Sequence, residues 1–198
     1  MGLELDYTHG QTPIEEEEKA ELLIPTISTK KELDEFEQKN IEESMQWLLR
    51  KKFTADQVFT EKFIKELHGR MFGHVWRWAG TFRLTQKNIG VDYWQISLSL
   101  KMLLDDAITW YKDSVFEPDE LAIRFKHRLV SIHCFPNGNG RHSRLLADLI
   151  IEKIFTGEVF SWGSQNLSSL DGQRDLYIRS LKAADQQNIR QLISFARS

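Results

Sequence analysis

Apolar residues recur along most of the chain at intervals of three and four, the period of helices with one buried face. From residue 28 to 51 they fall at Leu33, Phe36, Ile41, Met45, Leu48 and Leu49, with Asn40 and Ser44 among the polar positions. Ser28 or Thr29 precedes this stripe. Glu32 stands three residues after Thr29, the spacing of a capping box. Thr60 caps a second predicted helix that runs to Phe72. Ser97 or Ser99 opens a third, through Leu100, Leu103, Leu104, Ile108 and Trp110. Pro118 sits at a first-turn position of a fourth, which ends near His133. Helix resumes from Arg144 to Phe155, and a last helical stretch, 175–198, breaks near Asp185 to Asn188.

Two segments depart from this pattern. Residues 76–96 carry Gly80, Gly90, aromatic residues and short alternations such as Phe82 and Leu84, which predict a small β-hairpin turning near Asn88 to Asp92. Residues 1–27, with Pro13, Pro25 and the run Glu15 to Glu18, predict an irregular, solvated acidic arm. The expected class is all-α with one hairpin: an arm over 1–27 and a single domain over 28–198.

Composition narrows the function. Of 198 residues, 41% are hydrophobic, enough for one real core. A net charge of -3 argues against a broad nucleic-acid footprint, so no direct nucleic-acid binding is expected. No apolar run approaches the roughly 20 residues of a membrane span. The first residues lack the basic and apolar segments of a signal peptide. A lone cysteine, Cys134, excludes an intramolecular disulfide framework and suits a cytoplasmic location.

The chemistry concentrates in HCFPNGNGRHSR, residues 133–144. Gly138 and Gly140 free the backbone to turn its N–H groups into one concavity, and the helix that follows adds the positive end of its dipole. Arg141 and Arg144 share a face of the first turn, and their forked guanidiniums suit phosphate oxygens. His133, at the mouth of this cradle, is placed to act as a general base. His127, His133, Cys134 and His142 also lie close in sequence. Their spacing matches no zinc pattern, and neighbouring His and Cys chelate poorly.

The same stretch resembles the Fic-domain signature H-P-F-x-[D/E]-G-N-G-R-x-x-R. FKHRLVSIH before it, WAGTFR at 78–83 and LYIRSLKAADQQNIRQLISF near the C-terminus resemble other parts of that family. The chain as a whole is similar to the mobile mystery protein B subgroup, found on bacterial mobile elements beside a helix-turn-helix protein. The resemblance implies a helical bundle around a central helix–loop–helix, and transfer of AMP from ATP to a Ser, Thr or Tyr hydroxyl of a target protein, with Mg²⁺ or Mn²⁺. His133 is then the base and Phe135 a loop anchor. Gly138, Asn139 and Gly140 hold the α- and β-phosphates, the Asn139 side chain among them. Arg141 takes the β-phosphate side and Arg144 the γ-phosphate. Tyr177 borders the adenine, the flap over Leu84 to Ile96 docks the target, and a neighbouring protein is a candidate regulator.

Two positions depart from the signature. Cys134 replaces Pro, which alters loop stiffness. Asn137 replaces the metal-binding acid, which lowers the expected metal affinity. Doc-type phosphotransfer and a lapsed nucleotide-binding module are the alternatives; the intact Gly140 argues against the first. Ser28-Thr-Lys-Lys-Glu32-Leu33 resembles the family's inhibitory helix, in which Glu32 would pair with Arg144, although a simple helix cap explains the same residues. Thr12-Pro-Ile-Glu-Glu16 shares the spacing.

Overall fold

The computed structural model describes residues 14–164 and 170–198. The arm's first residues, Thr12 among them, lie outside these. The described elements are helical: α1 (Glu16–Lys19), α2 (Lys30–Leu49), α3 (Ala55–Val58), α4 (Glu61–Phe72), α5 (Ile96–Lys112), α6 (Pro118–Ile132), α7 (Asn139–Leu149), α8 (Leu170–Asp185) and α9 (Arg190–Arg197).

The caps read from sequence start two of these helices. Thr29 accepts from the Glu32 N–H while Glu32 reaches back to the Thr29 N–H. Thr60 accepts from the Phe63 N–H. Pro118 occupies the first turn of α6, as expected. Two starts differ. α5 begins at Ile96, behind a 3₁₀ turn over Tyr93–Gln95, and α7 begins at Asn139 rather than Arg144. A π-turn over Ile150–Ile154 extends α7.

α6 and α7 pack against each other at the centre; α5 lies on α6, α2 on α4, and α8 on α9. Phe125, Leu129 and Ile132 of α6 are buried, as are Leu146, Ala147 and Leu149 of α7. Each such large side chain contributes about 1.5–3 kcal/mol by leaving water. This packing fixes the loop between the two helices.

The face that α2 buries is not the purely apolar stripe. Phe36, Met45 and Leu49 are exposed, whereas Glu37, Asn40 and Ser44 are buried beside Leu33, Ile41 and Leu48. Each buried polar group has a partner, which makes its burial tolerable. Asn40 donates to the Arg70 carbonyl at 2.7 Å and accepts from the His74 N–H at 2.9 Å. Ser44 donates to the Ile41 carbonyl at 2.6 Å.

The expected hairpin is not formed. Among the described residues the only β-pairing is an isolated bridge between Leu22 and Trp76. Residues 82–92 are instead an irregular loop that bonds back to the end of α6 and the residues after it. The Arg83 N–H donates to the Cys134 carbonyl and the Val91 N–H to the Ile132 carbonyl. The buried Arg83 guanidinium donates to the carbonyls of His133, Thr85 and Val91. One cation thus replaces the cross-strand ladder.

The arm is not simply solvated either. Ile14 and Ile27 are buried. The Leu23 N–H donates to the Val75 carbonyl, and the Arg77 N–H to the Glu21 carbonyl. Glu18 is buried because it accepts from Lys87 Nζ at 2.7 Å, which ties α1 to the 82–92 loop.

Candidate active site

The loop after α6 turns at two left-handed residues. His133 ends the helix at φ 58°, and Gly138 precedes α7 at φ 78°. A Cβ on Gly138 would stand 2.5 Å from the Phe72 ring, so glycine is required there by sterics as well as by conformation. A Cβ on Gly140 would meet nothing, because that position opens on a cleft of about 540 Å³. His133, Asn137, Gly138, Asn139, Gly140, Arg141, Arg144 and Tyr177 all line this cleft, so the predicted cradle assembles in one place.

The Asn139 side chain is committed to the loop itself. Its Oδ1 accepts from the Phe135 N–H at 3.0 Å, and its Nδ2 donates to the Phe135 carbonyl at 2.8 Å. The expectation that this amide grips phosphate is therefore corrected; it holds the loop closed while the backbone and the arginines face the cleft. Phe135 anchors the loop as expected, stacked on His68 with 3.7 Å between ring centroids. His68 itself carried no prediction. Its Nδ1 accepts from the Gly80 N–H at 3.0 Å, so Nε2 bears the proton and donates to the Asn137 carbonyl at 3.0 Å.

His133 is 4% exposed, and neither ring nitrogen has a hydrogen-bond partner. Burial, then the charges of Arg83 and Lys87, lowers its pKa to about 4. The ring is therefore neutral at pH 7 and can accept a proton. The 82–92 loop lies directly over it: a Cβ on Gly90 would stand 2.6 Å from the His133 Cβ. Cys134 is buried and its thiol is pushed up to about 12 by that burial, so it packs rather than reacts.

Two acidic positions come out differently from the sequence reading. Glu32 does not meet Arg144. Its exposed carboxylate accepts from the N–H groups of Ser28 and Thr29 at 2.9 and 3.0 Å, so it is a helix cap. The acid that meets the cradle is Glu37, one and a half turns further along α2. Its Oε2 accepts from Arg141 Nη1 at 2.6 Å and its Oε1 from Trp76 Nε1 at 2.6 Å. Glu37 lies four residues after Leu33, the most deeply buried residue of the stripe, and this spacing was its only signal in the sequence. Arg144 lies over the Tyr177 ring, 5.4 Å from its centroid, and the Tyr177 hydroxyl accepts from the buried Lys126 Nζ at 2.6 Å.

The residues present do not build a metal site. Asn137 offers a neutral carbonyl oxygen, and that oxygen accepts the Gly138 N–H at 2.6 Å. Among the described residues no group of three His, Cys, Asp or Glu side chains could hold an ion. His127, from the sequence cluster, instead meets Asp185 at 2.8 Å.

A helix–loop–helix thus brings a buried imidazole, a glycine turn and two arginines to one cleft. Residues 58–151 match the model of the Fic/DOC family, and the chain belongs to that family. It is 31% identical over 140 residues to the protein adenylyltransferase Fic of Drosophila melanogaster, covering 69% of this chain. It is 28% identical over 144 residues to the enzyme of the same name from Aedes aegypti. The chain spans only 27% of the length of each of these relatives. Its fold matches C. elegans Fic-1 (residues 134–508) with a TM-score of 0.66 at 21% identity, over 90% of this chain and 51% of that one. It matches the BepC protein of Bartonella tribocorum, solved with bound AMPPNP, with a TM-score of 0.67 at 17% identity, over 92% and 98%.

Proposed function

We propose that this chain is a protein adenylyltransferase that moves AMP from ATP to a hydroxyl of a target protein. The observation that carries the reading is the pairing of a neutral, partnerless His133 with the open cradle of Gly140, Arg141 and Arg144 in one cleft. The named relatives support the same chemistry.

In this reading the triphosphate lies along the start of α7. Backbone N–H groups and the two arginines neutralise its charge and hold the α-phosphorus in line. His133 takes the proton of the target hydroxyl as its oxygen bonds to the α-phosphorus; the bond to the bridging oxygen breaks and pyrophosphate leaves. Tyr177 borders the adenine. Asn137 brings no charge of its own, so a divalent ion, Mg²⁺ or Mn²⁺, would have to come with the nucleotide and would supply charge neutralisation there. The target docks near the loop from Leu84 to Ile96, where Leu84, Ile89 and Trp94 are exposed. No described helix is long and apolar enough to cross a membrane, and a cytoplasmic setting suits the unpaired Cys134.

The test is label transfer from ATP carrying the label on the α- or the γ-phosphate, with wild type and His133→Ala. Label from the α-position, lost in His133→Ala, supports AMP transfer. Label from the γ-position alone would establish phosphotransfer instead.

A further inference from the structure

The cleft has an apolar part as well as a cationic one. Trp162, Tyr177, Ile178, Leu181 and Phe195 line it alongside the cradle residues. Tyr177 and Leu181 stand four apart on α8 and so share a face. The Phe195 ring of α9 lies 5.4 Å from the Tyr177 ring, centroid to centroid. Trp162 is the unexpected member. It comes from a turn at 162–164, where no helix places it.

The turn is built around this one side chain. Trp162 itself sits at φ 53°, a left-handed conformation that bulky residues rarely adopt. Its N–H and that of Ser161 both donate to the Ala196 carbonyl at 2.9 Å, which hangs the turn on α9. Gly163 follows at φ 81°, where a Cβ would stand 2.8 Å from the Phe195 ring. The indole Nε1 donates to both carboxylate oxygens of Asp148, each at 3.0 Å, and the Phe160 N–H donates to the same group at 3.1 Å. Asp148 belongs to α7, the helix whose start forms the cradle. Burial pushes its carboxyl up to about 6. The ring packs on Phe160, with centroids 5.2 Å apart, and also borders the cleft. Packing alone needs neither a strained backbone nor a desolvated acid; strain of this kind gathers where a ligand is held.

The chemistry of the ring limits what it can hold. Nε1 is the one polar atom of an indole, and Asp148 already engages it. What remains for a ligand is the apolar face and edge, which suit a planar base and offer a phosphate nothing.

We propose that Trp162 is a further substrate-binding residue, which packs on the base of the nucleotide together with Tyr177, and that Asp148 is the positioning residue that fixes the indole for this contact. The assignment rests on the nucleotide reading of the cleft and extends the wall that Tyr177 begins.

The experiment is equilibrium binding of ATP, AMP and inorganic tripolyphosphate to wild type, Trp162→Ala, Trp162→Phe, Asp148→Asn and the Trp162→Ala/Asp148→Asn double variant, with thermal unfolding as the check on folding. Trp162→Ala is expected to weaken ATP and AMP by the same factor, about five- to a hundredfold, and to leave tripolyphosphate as in wild type. Trp162→Phe recovers part of the loss, because a ring returns. Asp148→Asn weakens the same two nucleotides by a smaller factor. The double variant loses no more than Trp162→Ala, because Asp148 acts through the indole; a merely structural Asp148 would add its own loss. Unchanged ATP and AMP affinities in Trp162→Ala would overturn the proposal, as would an equal loss for tripolyphosphate or a wild type that binds neither nucleotide. If Trp162→Ala does not fold, Trp162→Phe and Asp148→Asn decide by the same comparison. The adenylyltransferase reading fails separately. Nucleotide held at Trp162 with no AMP transferred sinks that reading alone, and AMP transfer with an unchanged KM for ATP in Trp162→Ala sinks this proposal alone.

Discussion

Replacing Glu37 by Gln isolates what this buried acid does to the cradle. The carboxylate is 3% exposed and holds two donors, Trp76 Nε1 and Arg141 Nη1, each at 2.6 Å. Glutamine keeps an oxygen for Trp76 but presents an NH₂ group, or no charge, to Arg141. For Arg141 to engage phosphate fully it must first give up Glu37. A hydrogen bond between charged groups contributes about 1.5–3 kcal/mol. The Arg141 side chain is 35% exposed, so solvent screening places this one nearer about 1–2 kcal/mol. Releasing that pair should tighten ATP binding about five- to thirtyfold. The same loss should lower the melting temperature of the ligand-free protein by about 2–8 °C. Calorimetric titration with ATP and thermal unfolding with and without ATP measure both effects. Glu32→Gly is the control: its carboxylate touches only Ser28 and Thr29, so ATP affinity should stay at the wild-type value. ATP affinity that is unchanged or weaker in a folded Glu37→Gln variant would refute the reasoning.

Other outcomes follow from the same geometry. Gly138→Ala should destabilise the fold by about 2–4 kcal/mol, from the positive φ and the Phe72 clash together, as read by denaturant unfolding. Arg83→Met should free the 82–92 loop and raise the His133 pKa, because a cation that donates to the His133 carbonyl is gone; hydrogen exchange and NMR titration of the imidazole report these. Stability should also fall with acid. His133 has a folded pKa of about 4 against an unfolded value near 6.5, so below that value the unfolded chain binds a proton that the folded chain resists. The stability is complete above about pH 7, and about 3 kcal/mol from His133 alone is lost by pH 4. His142, lowered to about 3 by burial, adds to the same slope. Denaturation at stepped pH should show this slope, and His133→Gln should flatten it.

Helices with a clear cap and stripe were legible, because Thr29, Thr60 and Pro118 act locally and need no tertiary information. The cradle was legible for the same reason, since it is one contiguous stretch. What was missed depends on partners distant in sequence. Asn40 and Ser44 read only as polar positions of the stripe and Glu37 carried no reading; Glu37 and Asn40 are buried against Trp76, Arg141, Arg70 and His74. The alternation around Phe82 and Leu84 promised strands, but Arg83 binds three carbonyls and removes the need for a ladder. α1 and α3, of four residues each, are too short for a periodic signal. The Asn139 side chain was assigned to phosphate because the resemblance implies it, yet its amide bonds to the N–H and carbonyl of Phe135.

The central claim is that His133 acts on a nucleotide held at the start of α7. Intact-mass spectrometry of hydroxyl-bearing candidate targets, and of the protein itself, after incubation with ATP and Mg²⁺ or Mn²⁺ tests it most directly, with wild type, Glu37→Gln and His133→Ala in parallel. The account predicts an AMP adduct with wild type, a larger one with Glu37→Gln, and none with His133→Ala. An adduct that persists in His133→Ala, or a phosphate adduct in place of AMP, would contradict it.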